Sequence, residues 1–156
     1  MSRLLSLAAV AATLSIGGCA HQDAAEADRF AWIYQENEYE GAKLAYGAPN
    51  TDDVLLMMIC EPGSGQVQLS AMSGAGGDAI VLSSRNDQDR FAGHAGPSVF
   101  GGAWLIEAEA RTAATSLRGF ARTGDLALME GRRKINVAAE PGERAQVTRF
   151  FEACRV

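Results

Sequence analysis

The strongest constraint on the fold is the run Val54–Cys60, Val-Leu-Leu-Met-Met-Ile-Cys, which holds no polar residue. It is bounded by Asp53 on one side and by Glu61-Pro62-Gly63-Ser64-Gly65 on the other. A short apolar run between turn residues predicts a central strand covered on both faces. Beyond the turn, Val67, Leu69 and Ala71 alternate with Gln66, Gln68 and Ser70. That alternation predicts a half-exposed strand, and the two segments predict an antiparallel hairpin.

The same period recurs along the chain. Phe30, Trp32 and Tyr34 alternate with Ala31, Ile33 and Gln35, then the acidic stretch Glu36, Glu38, Glu40 and Gly41 predicts a turn. Lys43–Tyr46, Ala79–Ser83 and Trp104–Ala110 read as further strands, and Leu126–Met129 with Ile135–Ala138 as a second hairpin around Glu130-Gly131-Arg132. The polar, glycine-containing stretch Asn86–Pro97 reads as a long loop around a short strand. Leu117 and Phe120 share a helical turn. Pro141 suits the start of a last helix, in which Val147, Phe150, Phe151 and Cys154 fall on one face. The expected fold is therefore β-rich: a mainly antiparallel sheet, as a sandwich or open barrel, with one C-terminal α-helix packed on it. Seventeen glycines among 156 residues agree with many tight turns.

The N-terminus carries a different signal. Arg3 precedes Leu4–Ile16, an uncharged apolar stretch too short to span a bilayer as a helix. Such a stretch after one positive charge is the pattern of an export signal. The sequence Ile16-Gly17-Gly18-Cys19 resembles the lipobox of bacterial lipoproteins. The resemblance implies cleavage after Gly18 and acylation of Cys19, palmitate included. Two or three acyl chains give stable anchoring where one gives only marginal binding. Ala20 rather than Asp after the cysteine, by resemblance to Gram-negative lipoproteins, implies sorting to the outer membrane, facing the periplasm. The expected organisation is a signal over residues 1–18, a polar tether over 19–28, and one domain over 29–156.

With Cys19 acylated, Cys60 and Cys154 remain as an even pair in an oxidising compartment, which predicts a disulfide. Without the signal, thirteen Lys and Arg face nineteen Asp and Glu, a net charge of −6. That balance argues against nucleic acid as a partner.

Candidate chemistry is sparse. His21 lies in the tether, so a Ser-His-Asp site would have to use His94 with Ser98 and Asp89. No nucleophile elbow frames any serine. A zinc site needs three or four clustered ligands, and no pattern here asks for a metal or a cofactor. Gly74-Ala75-Gly76-Gly77 opens a strand rather than a helix, which favours a turn over a phosphate loop. Trp32, Tyr34, Arg90 and His94 are the candidate binding residues. Trp32 and Tyr34 fit either an aromatic platform or core packing.

The C-terminal order, a helical turn at Leu117–Phe120, a strand pair and a helix ending Phe150-Phe151-Glu152-Ala153-Cys154, resembles that of many small exported proteobacterial proteins of unknown function. The set of features is also similar to lipoprotein inhibitors of lysozyme, although no Tyr follows Ser73-Gly74. The expected role is a non-catalytic binding or inhibitor module with a periplasmic or envelope protein partner. The alternative is a structural or assembly accessory lipoprotein of the envelope.

Overall fold

A computed structural model describes residues 30–99 and 101–156. The expected signal, Cys19 and the expected tether lie outside the described residues.

Nine strands form one antiparallel sheet: β1 (Ala31–Asn37), β2 (Gly41–Gly47), β3 (Val54–Cys60), β4 (Gln66–Ser73), β5 (Ala79–Ser84), β6 (Asp87–Pro97), β7 (Trp104–Arg111), β8 (Ala127–Glu130) and β9 (Arg133–Asn136). Their spatial order is β1-β2-β3-β4-β7-β6-β5-β8-β9. One meander, β1 to β4, meets a second group of strands along the β4–β7 ladder, which runs from Gln66 opposite Arg111 to Ser73 opposite Trp104. The sheet curls into a half-barrel, and two helices, α1 (Thr115–Thr123) and α2 (Arg144–Cys154), lie on its concave side. The β-rich fold with a C-terminal helix on the sheet is as the sequence predicts.

The curl depends on β6. Its first half pairs with β5, from Asp87 opposite Ser84 to Ala92 opposite Ala79, and its second half pairs with β7, from Gly93 onward. The change of partner falls at Gly93. A Cβ there would meet the Glu107 carbonyl oxygen at 2.3 Å, so only glycine admits the two backbones this close. The polar stretch expected to loop is thus mostly strand. Two flanking ladders satisfy its backbone, and Phe91 anchors its inner face in the core.

The core fills the concave side. Trp32, Leu44, Leu56, Met58 and Leu69 from the sheet are almost wholly buried, as are Leu117 and Phe120 of α1 and Val147 and Phe150 of α2. Trp32 stacks 4.9 Å from Phe120, centroid to centroid, and donates its indole N–H to the Val137 carbonyl at 2.7 Å. β3 corrects one expectation. Leu56, Met58 and Cys60 are buried, but Leu55, Met57 and Ile59 on the convex side are only half-buried. The helices cover one side of the sheet, so the apolar run is covered on one face rather than two.

The helix ends are tied to distant parts of the chain. Ala114 gives α1 no side-chain cap. Instead Asp89 of β6 accepts the Ser116 amide at 2.6 Å and the Thr115 hydroxyl at 3.1 Å. Burial opposes ionisation of Asp89, but the Ser116 and Thr115 donors outweigh it and hold the carboxyl below its ordinary range. The Arg144 guanidinium, at the start of α2, donates to the carbonyls of Thr123 and Arg122 at the end of α1. At the far end of α2, the amides of Gly63 and Gly65 donate to Ala153 and Cys154 at 2.8 and 2.9 Å. These bonds satisfy carbonyls that a helix C-terminus leaves open. Cys154 also bonds to Cys60, with 5.8 Å between their Cα atoms. The disulfide therefore joins α2 to a central strand, as the cysteine count predicts.

Candidate functional site

A cleft of about 540 Å³ lies where the curl brings β8 round to the end of β4. That volume falls in the range of small-molecule sites. The inner faces of three strands supply aliphatic wall: Ile80 of β5, Ile106 of β7 and Leu128 of β8. Met72 and Met129 add flexible thioether side chains, which adapt to irregular ligand shapes.

The glycine-rich segment 74–77 forms the rim. Gly76 has φ +70° and lies against the face of Trp104, where a Cβ would sit 3.3 Å from the ring. Gly77 has φ +146°, a conformation an L side chain rarely adopts. The segment is a turn into β5, as the sequence suggests, and it lets the backbone run close over Trp104.

Glu130 gives the cleft its charge. Its Oε1 accepts the Ser73 hydroxyl at 2.9 Å and the Gly74 amide at 2.8 Å. The Ser73 bond, then the Gly74 amide, holds the carboxyl below the usual range, so it is ionised at neutral pH. Oε2 has Arg133 at 3.8 Å. Across the rim, Arg90 pairs with Asp78 at 2.7 Å, and this bond lowers the Asp78 carboxyl. The arrangement is an apolar slot with a fixed carboxylate at one wall and an exposed ion pair at its edge. It suits a ligand with an apolar body and a cationic or hydroxyl head.

The structure disperses the residues singled out from sequence. Arg90 lines the cleft. Trp32 is a core residue, 2 % exposed, so of its two readings packing is the one observed. Tyr34 lies under α2, with the Arg149 guanidinium 4.8 Å above its ring and its hydroxyl donated to Glu36 at 2.5 Å. Burial and the Glu36 bond push its pKa up to about 12. His94 is exposed on β6 opposite Glu107, on the convex side. Asp89 faces the concave side and caps α1, so it does not join His94 in a catalytic group. Among the described residues, no three His, Cys, Asp or Glu side chains come together to hold a metal ion.

The sequence does not mark Ser73 or Glu130, which both line the cleft, as site residues. Ser73 and Glu130 sit beside turns and are 57 positions apart. No local pattern marks such a pair, because the curl of the sheet alone brings them together. No protein-family model, no curated protein and no solved structure matches this chain.

Proposed function

We propose that the chain is a lipid-anchored envelope protein, held through Cys19, whose β-rich domain is a non-catalytic binding module facing the periplasm. The observation that carries the binding role is the cleft, with its aliphatic and methionine walls and the fixed Glu130 carboxylate. Apolar pockets with a few convergent polar groups are the usual form of a recognition site. The Cys60–Cys154 bond supports the export half of the reading, since stable disulfides belong to oxidising compartments.

Two measurements test the reading. Labelling with radioactive palmitate should mark the wild-type protein and fail on Cys19→Ala; equal labelling of the variant removes the anchor. The native protein, purified gently from envelope extract, should carry a stoichiometric ligand or partner in native mass spectrometry. Glu130→Gln and Met129→Asp should lose it while keeping the fold. Turnover of an envelope substrate that disappears on His94→Ala would replace the binding role with catalysis.

A further inference from the structure

The strand registers place several segments at one end of the half-barrel. Ala31 lies opposite Gly47, Gly47 opposite Val54, Ser73 opposite Trp104, and Trp104 opposite Pro97. The N-terminus of the domain at Phe30, the loop after β2, the glycine-rich rim and the β6–β7 turn therefore share that end. The opposite end carries the acidic turn Glu36–Glu40 and the β3–β4 turn.

The β6–β7 turn is a closed finger. The Ser98 amide donates to Ala103 at 2.9 Å and the Gly101 amide donates to Ser98 at 3.2 Å. Gly101 and Gly102 take φ +72° and +70°, which permits the tight reversal. Val99 stands at the tip, 92 % exposed, and Trp104 at the base, 43 % exposed. Residues 97–104 contain no charged side chain. These are two of the few large apolar side chains that the described surface exposes, and they stand at the end of the sheet from which β1 begins, four and five strands away from it.

From this placement we infer that the β6–β7 finger dips into the lipid interface of the membrane that holds the anchor, with Val99 at the acyl boundary and Trp104 at headgroup depth. The inference rests on the lipid-anchor reading proposed above. Ten residues separate Cys19 from Phe30, a reach of at most about 40 Å fully extended. A tether of that length keeps the finger at high effective concentration near the bilayer, so a small apolar contact suffices. Trp is the residue type that partitions to the membrane–water boundary. The occupant is an uncharged or zwitterionic lipid surface rather than an anionic one. Asp52 and Asp53 are the exposed charges of the neighbouring loop, and Arg90 at the rim is paired with Asp78. Docking this way also fixes orientation: the glycine-rich rim of the cleft faces the membrane and the acidic turn points away.

The chain has two tryptophans, and Trp32 is buried, which isolates Trp104 as the reporter. Full-length lipidated protein is reconstituted into phosphatidylcholine vesicles with bromine on the upper acyl chain. Part of the emission should be quenched, and Trp104→Phe should remove the quenched component. Val99→Asp should also abolish quenching while the protein still floats with the vesicles and melts as wild type does, since that side chain makes no core contact. The quenching should not weaken in high salt. Flotation without quenching, or quenching that survives either substitution, overturns the inference and leaves the anchor standing. Failure of the wild-type protein to float overturns both.

Discussion

Glu130 lies 2.9 Å from the hydroxyl of Ser73 across 57 residues of chain, and this bond latches the second half of the sheet to the first. The same carboxylate oxygen takes the Gly74 amide. Replacing Glu130 with Gln should cost about 1–2 kcal/mol at neutral pH, the scale of charge-assisted bonds to a partly buried group. The folded carboxyl has a lowered pKa, so its stabilising effect is present above the unfolded value of 4.5 and is lost as pH falls through the folded one. Urea denaturation at neutral and acidic pH checks this: the gap between wild type and Glu130→Gln should close on acidification. A gap independent of pH would assign the bond no electrostatic role.

The cap on α1 comes from another element, so it is open to a clean test. Asp89→Ala removes the acceptor for the Ser116 amide and the Thr115 hydroxyl. The expected loss is about 0.5–2 kcal/mol, as for other N-cap deletions. Because the Asp89 carboxyl is also held low in the folded state, this contribution too fades as pH drops through its folded pKa. Asp89→Asn, which keeps an acceptor, should recover part of the stability seen in thermal melts.

Gly119 in the middle of α1 offers a substitution that propensity and packing judge oppositely. Alanine is favoured over glycine in an exposed helix interior by roughly 1 kcal/mol. Here its Cβ would sit 2.6 Å from the Ser84 hydroxyl and 2.9 Å from the Ser84 Cβ. Both residues are buried, so packing should win, and Gly119→Ala should destabilise by about 1–3 kcal/mol. Adding Ser84→Gly should restore much of that loss in a denaturant titration.

The disulfide closes a span of 94 residues. Loss of such a bond from a small disulfide-stabilised domain costs roughly 2–5 kcal/mol. The double variant Cys60→Ser, Cys154→Ser should show that loss in guanidinium denaturation. Thiol titration of the wild-type domain should find neither cysteine before reduction and both after.

Much of the fold is legible in local pattern because alternation and turn residues act over a few positions. Val54–Cys60 and Gln66–Ala71 read as a hairpin and form β3 and β4. The face Val147, Phe150, Phe151 and Cys154 is wholly buried, as its spacing implies. β6 escapes that logic. His94, Ala95 and Arg90 are exposed, and the strand exists because β5 and β7 both bond to it. The cleft is less legible still. Trp32 looks like a platform and is core, held by the Val137 carbonyl. Glu130 looks like a turn residue and is the charged wall of the cleft, because the long-range curl decides where it points.

The β4–β7 seam and the Cys60–Cys154 bond have a joint consequence for the chain's connectivity. Both cross from one side of the largely exposed Gly74–Gly77 segment to the other. A protease cut in that segment would leave two fragments that still share an eight-residue ladder and one covalent bond. The nicked molecule would migrate as a single species until reduced, then part into two bands. In topological terms the peptide link at the rim is redundant, and the cleft is bordered by a stretch of backbone that the rest of the architecture does not need to stay closed.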